Sequence, residues 1–560
     1  MTELNPGQPD PPFEEGLYKV LHVVPGIGPY QTIQEAINAA SPGSRILVAS
    51  TLYTQTIFIN KPGLTLESRE SNSEVQITCS AGPIIHICLN TSDTCKIKGF
   101  KLIHTAVSRK RLEAIGNLGG ETYLDMCESS RTSEHWVRSL KPSRTTNAAL
   151  WVEGGNVIIE DCQITLSSAK TPLPAIIINK GVLRVENCEI KGQGEVPTVG
   201  IYAADVDLTV IKSKIYKHRS GGIIIHSSPA NNVLISECQI IGNVNCGVYF
   251  MGEDSRPVIQ RSKIAHNEDG IKVGQYNCAR IKGCEIKQNE KGINVENADP
   301  FIFLNLIRGN REEGVLFHSE GNSRCDGKMM SNDLYENENA VVCSGSNCFP
   351  TIEGNGKIAK NKKAGIKVMD GSYAVILRNE VYDNKSQGIL LVKGSSAHIE
   401  KNNIYSNVKA NIAFGGNENS DTTIVENFIF RGQAEGIFNL EGGTSWIKRN
   451  QIYENSDGIV LIDSHPVISM NSIYDNRRSG ITVAGKSQPN IVDNEVLRNT
   501  AVGINIRDTA SGLLLRNYAF GNLVQMAIIT KSNMNIKKIK TENYIKGEVQ
   551  LPLPAICTLL

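Results

Sequence analysis

Residues 464–506, SHPVISMNSIYDNRRSGITVAGKSQPNIVDNEVLRNTAVGINI, carry one pattern twice. Asn471-Ser-Ile473, Asn476 and Gly480-Ile481-x-Val483 are followed by Asn494-Glu-Val496, Asn499 and Gly503-Ile504-x-Ile506. A unit this short cannot bury its own apolar side chains, so its copies must stack and share a core. The same pattern runs back to Ala149. Its strand-start residue recurs at Ala149, Ala175, Gly200, Gly222, Gly247, Gly270, Gly292, Gly314, Ala340, Gly365, Gly388, Asn411, Gly436, Gly458, Gly480, Gly503 and Ala527, at spacings of 22 to 26 residues. The residues at +1 and +3 are apolar, as in Ile271 and Val273 or Ile366 and Val368. Alternation in a strand points both inward.

A second inward residue lies three positions before the first Asn of each unit, as in Ile376, Ile447 and Ile491. A third short strand lies between the two Asn, as in Glu380-Val381-Tyr382. Three short strands per coil, each parallel to its counterparts above and below, predict an all-β right-handed parallel β-helix of about 17–20 coils. At roughly 4.8 Å per coil the rod is about 90 Å long. The hexapeptide rhythm of a left-handed helix and the LxxLxL of a leucine-rich repeat are both absent.

Two Asn columns follow from the same register, one through Asn305, Asn379, Asn450 and Asn494, the other through Asn243, Asn310, Asn384 and Asn476. Asn tolerates the left-handed region at a tight corner, and stacked amides bond to those above and below. Both columns are therefore expected to be structural. Cys162, Cys188, Cys238 and Cys284 occupy the first column's place in earlier coils, as small half-buried side chains. No CxxC pair is present, so no zinc site is expected. Glycine at the strand start is expected to serve entry from a left-handed turn.

Lys plus Arg number 58 against 57 Asp plus Glu, a balance that argues against a general nucleic-acid binder. Residues 1–18 read as a disordered leader without a signal peptide, and no apolar run reaches a membrane span. A soluble cytoplasmic protein is expected. Residues 19–104 hold the first coils, with an N-terminal capping helix formed by Ile33, Ala36, Ile37 and Ala40 on one face. Residues 105–147 break the pattern as an inserted loop, 148–530 are the repeats, and 531–560 form a tail over the last coil.

The NxIxxNxxxGIxV motif, with HPVI or QPNI before the next Asn, resembles the parallel β-helix repeats of pectate-lyase-like proteins. It is most similar to the β-helix region of F-box-only adaptors and of the Shc-binding/nessun dorma spindle proteins, described as carbohydrate-binding and sugar-hydrolase repeats. The region from Gln31 to Glu67 resembles the opening of pectin methylesterases, but Ser50-Thr51-Leu52-Tyr53-Thr54-Gln55 lacks that family's Gly and Glu. No F-box-like segment precedes the coils, so an adaptor role would lack its ligase-recruiting part.

Sugar-cleaving β-helices need carboxylates gathered with a basic residue on one outer face across coils. Asp269, beside Lys272, is the best local candidate, and reads as a turn residue because Asp457-Gly458 repeats its Asp-Gly. No catalytic residue, metal ligand or cofactor is expected. The outward +2 positions instead read Leu316, Val342, Lys367, Leu390, Ala413, Phe438 and Val460, a stripe in which only Lys367 is polar. Exposed apolar stripes mark interaction surfaces. The expected function is thus a non-catalytic scaffolding rod that docks protein partners through Leu316, Val342, Leu390, Ala413, Phe438 and Val460, in a cytoskeletal or ciliary assembly by analogy. The alternatives are a carbohydrate-binding or carbohydrate-active protein, and a ubiquitin-ligase adaptor without its F-box. A groove of carboxylates and Lys/Arg would favour sugar chemistry.

Overall fold

The computed structural model describes residues 19–70, 74–80, 82–105, 148–167, 173–193, 198–274, 276–417, 421–442 and 444–551. The expected leader and the body of the expected inserted loop lie outside the described residues. Strands follow one another round a coil, and the recorded strand-to-strand registers are parallel, each made with a neighbouring coil. One sheet of 20 strands runs the length of the molecule with one strand per coil, and a 38-stranded sheet supplies the other two. Those two ribbons merge where single long strands, Leu150–Glu160 and Leu173–Glu186, turn the corner between them. The result is an all-β parallel solenoid of about twenty coils.

The predicted inward residues form one core. Ile271, Ile293, Ile366, Ile481 and Ile504 are fully buried, as are Ile376, Ile447 and Ile491. Their register is coil to coil: Ile271 pairs with Ile293, and Ile481 with Ile504.

The two Asn columns are hydrogen-bonded ladders. In the first, each side-chain oxygen accepts from the backbone N–H and the amide Nδ2 of the preceding Asn, as Asn471 Oδ1 does from Asn450 at 2.9 and 3.0 Å. The Nδ2 also reaches back to a carbonyl of the preceding coil, Ile424 for Asn450. Cys284 enters this ladder by donating its N–H to Asn305 Oδ1, and Ser213 Oγ does the same service for Cys188. Every member satisfies buried polar groups that the tight corners would otherwise strand. The left-handed residues are not the asparagines themselves but those immediately before them: Arg378, Lys401, Arg449 and Asp493 in one column, Asp383, Glu454 and Asp475 in the other. Their side chains point to solvent, where the strain of positive φ is offset by inward placement of the amide.

The strand-start glycines are also needed for a different reason from the expected one. None of Gly222, Gly270, Gly388, Gly458 or Gly480 has positive φ. They lie where coils approach most closely: a Cβ on Gly458 would meet the Gly480 carbonyl oxygen at 2.4 Å and Ile473 Cγ2 at 2.6 Å.

Among the described residues, two helices lie in the terminal coils. Helix α1 (Ile33–Ala39) begins at a capping box between Thr32 and Glu35 and buries Ile33, Ala36 and Ile37. Its Gln34 amide exchanges hydrogen bonds with the backbone of Phe58. Helix α2 (Ile536–Glu542) follows Asn535, whose side chain accepts from Lys538 N–H, and buries Ile539. No helix among the described residues is long and apolar enough to cross a membrane.

Candidate functional site

The 20-stranded sheet turns alternate side chains outward, and in its first coils these are polar. Strands Phe100–His104, Gln163–Ser167, Glu189–Gln193 and Lys214–Tyr216 stack in that order. Gln163 stands on Lys101, Glu189 on Gln163, and Lys214 on Glu189. The neighbouring column runs from Ile103 through Thr165 and Lys191 to Tyr216. Between these columns lies a depression of about 360 Å³, lined by Lys101, Gln163, Thr165, Glu189, Lys191 and Tyr216 among others. A second, of about 350 Å³, adjoins it at the corner and is lined by Asp161, Asn187, Lys212 and Lys214 as well as by Gln163 and Glu189, which both depressions share.

The corner residues Asp161, Asn187 and Lys212 all have positive φ, which turns their side chains toward this trough. Asn187 Nδ2 donates to Asp161 Oδ1 at 2.6 Å. Tyr216 Oη donates to Glu189 Oε1 at 2.5 Å, and Lys214 Nζ lies 4.6 Å from the centre of the Tyr216 ring. Burial, with the Glu189 carboxylate beside it, pushes the Tyr216 phenol up to about 12. The phenol therefore stays a hydrogen-bond donor through the physiological range.

Charge decides what such a trough favours. Lys101, Lys191, Lys212 and Lys214 face two carboxylates, Asp161 and Glu189. Elsewhere on the outer surface, several basic side chains are paired with carboxylates of their own or a neighbouring coil. Lys287 and Arg308 share Glu285 at 2.7 Å, Lys96 and Lys98 share Glu160, and Arg516 grips Asp493. Among the described residues, none of the four trough lysines enters an ion pair. Among the described residues there is also no cluster of His, Cys, Asp and Glu suited to a metal ion.

The right-handed β-helix region family model matches residues 127–256, 174–328, 250–376, 321–442 and 370–520, well over half of the chain. The chain belongs to the right-handed β-helix family. No curated protein sequence matches it, so the resemblance to F-box-only and Shc-binding proteins stands on the repeat motif alone. Solved structures similar to it include a point mutant of the periplasmic alginate epimerase AlgG, at 14% identity over 66% of this chain and 74% of that one, with a TM-score of 0.30. Pectate lyase Pel9A is 14% identical over 65% of this chain and 76% of its own, at a TM-score of 0.29. Pectin methylesterase PemA from Erwinia chrysanthemi is 12% identical over 48% and 89%, at 0.27.

The expectation of a non-catalytic docking rod is corrected on two grounds. The solved structures similar to this one carry the names of an epimerase, a lyase and an esterase. The proposed docking stripe is a true column, with Leu316 on Val342, Leu390 on Ala413 and Phe438 on Val460. Yet Val342, Ala413 and Val460 are buried and the other three half-buried, because stacked neighbours cover one another. Further along the same outer face a larger apolar group escaped the motif reading. Trp151, Ile177, Tyr202, Ile224 and Tyr249 stack in register and form a second buried cluster. The unbroken apolar runs LWV, AIII and GVYF, typical of strands buried on both faces, are the signal that was available.

Asp269 is likewise not a turn residue. It lies in strand Asp269–Gly274, is 8% exposed, and accepts from Asn294 Nδ2 at 2.8 Å. Burial raises its carboxyl above the ordinary range, against the hydrogen bond from Asn294 and the charges of Lys291 and Lys272. Lys272 and Lys291 are each held by a glutamate, Glu296 and Glu312. This polar island is internally paired, unlike the trough.

Proposed function

We propose that this protein binds an acidic saccharide through the trough on the outer face of the 20-stranded sheet. The observation that carries this reading is the set of four lysines, Lys101, Lys191, Lys212 and Lys214, which line a concave surface with no ion pair among the described residues. Sugar hydroxyls require donors and acceptors packed at short spacing. Gln163, Thr165, Glu189, Asn187 and the Tyr216 hydroxyl supply them across three coils. The carboxylates of an acidic sugar require cations that are not already neutralised, and charge-assisted hydrogen bonds from lysine are about twice as strong as neutral ones. The balance of the whole chain, with a formal charge of +1, counts against a long nucleic acid as the ligand.

Titration calorimetry with uronic-acid oligosaccharides and with neutral glucans of equal length tests the proposal. Binding of the acidic series, weakened at least tenfold by Lys191→Glu with Lys214→Glu and weakened by salt, is the expected result. Equal binding of acidic and neutral chains, or no effect of the charge reversal, would refute it.

A further inference from the structure

The inward column that runs from Ile59 to Ile528 is apolar in nearly every coil, and it contains one amide. Asn439 stands between Phe414 and Leu461, where its neighbours further out are Leu391 and Val483. The residue is fully buried, and neither Oδ1 nor Nδ2 has a hydrogen-bond partner among the described residues. Its Oδ1 sits over Gly442, where a Cβ would approach to 2.1 Å, so a side chain at that position is excluded.

Asn439 is not an isolated lapse. Among the described residues, Thr422 Oγ1 and Ser445 Oγ are also buried without partners, as is Ser464 Oγ in the following coil. Thr423 pairs with Trp446, so Thr422 and Ser445 precede paired positions in consecutive coils. The same place in the two preceding coils is taken by Ala374 and Ala397. The hydroxyls thus lie in the amide's own coil (Ser445) and in the coils before and after it (Thr422 and Ser464). An amide with two orphaned ends, with orphaned hydroxyls in its own and the neighbouring coils, is unfavourable if dry, since buried polar groups need hydrogen-bond partners.

We infer that Asn439, Thr422 and Ser445 form an internal hydration site, with Ser464 at its rim, that holds ordered water inside the coil. Water is the ligand that fits: it donates and accepts, matches an amide and hydroxyls without charge, and requires two to four polar partners. No acidic or basic side chain belongs to this set, so an ion has no counter-charge there.

The test is a crystal structure of the full chain together with thermal melts of Asn439→Leu, of Thr422→Ala with Ser445→Ala, and of the triple variant. Density for water within about 3 Å of Asn439 Nδ2 and of a neighbouring hydroxyl oxygen is expected. In the melts, Asn439→Leu should lower the midpoint, and adding the two alanines should recover part of that loss, because the hydroxyls no longer need a bridge. An interior with no such density, or a midpoint that rises for Asn439→Leu regardless of the alanines, would overturn the inference. Should Asn439→Leu fail to fold, Asn439→Ser keeps the site polar and is read in the same crystals.

Discussion

The second Asn ladder has a missing rung at Gly432, and the repair of that rung yields a sharp prediction. Asn411 occupies a strand-start position that is glycine in the coils on either side, Gly388 and Gly436. Its side chain reaches across to the vacancy in the ladder. Asn407 Nδ2 donates to Asn411 Oδ1 at 2.9 Å, and Asn411 Nδ2 donates to Asn455 Oδ1 at 2.9 Å and to the Phe430 carbonyl at 3.2 Å. Asn411→Gly removes three buried hydrogen bonds. At about 1 kcal/mol each, with an orphaned donor left on Asn407, the loss is about 3–4 kcal/mol. Gly432→Asn alone forces two side chains into one space, because a Cβ there would lie 2.8 Å from Asn411 Nδ2 and 2.9 Å from Asn455 Oδ1. Overpacking of this kind costs about 1–3 kcal/mol.

The double variant restores a regular rung beneath a regular glycine, and should return to within about 1 kcal/mol of the parent. The coupling energy is then about 3 kcal/mol or more, at the top of the range for contacting residues. Urea unfolding followed by circular dichroism measures the four corners of the cycle. Amide hydrogen exchange over residues 403–437 localises the effect, since long repeat arrays need not unfold as one unit. If the double variant loses the sum of the two single losses within about 0.5 kcal/mol, the ladder-repair argument is wrong.

Three other outcomes are expected. His218 enters the second ladder through its backbone N–H, which donates to Asn243 Oδ1, while its ring is buried and burial lowers its pKa to about 4. The unfolded chain therefore binds a proton that the folded chain refuses, so stability is complete above about pH 6.5 and falls as pH drops toward 4, by up to about 3 kcal/mol. His218→Asn should flatten that slope in pH-dependent unfolding; His104, also lowered by burial, supplies what remains. Gly458→Ala should destabilise by about 2–3 kcal/mol, read as a lowered urea midpoint, although its backbone φ suits alanine, because the new methyl collides with the Gly480 carbonyl. Phe430→Ala breaks a run of rings from Tyr382 to Tyr474 at its centre, with contacts of 4.8 and 5.0 Å to Tyr405 and Tyr453; a loss of about 1–3 kcal/mol is expected in the same assay.

What the chain's order of residues determined alone is the coil. Asn471, Ile473, Asn476, Ile481 and Val483 recur because every rung must fill the same core and satisfy the same corner, so the constraint repeats and is legible. Cys284 was placed correctly in the Asn column by the same logic. The structure alone decided what each column does in detail. Which residue takes positive φ, why glycine precedes the strand, and why Asn411 departs from it depend on distances between coils, and no single repeat contains those distances. The trough was hidden for a related reason. Lys101 and Gln163 are neighbours on consecutive coils although 61 residues lie between them in sequence. Its lysines face outward, where no shared core forces a pattern, and only the stacking of separate coils brings them onto one surface.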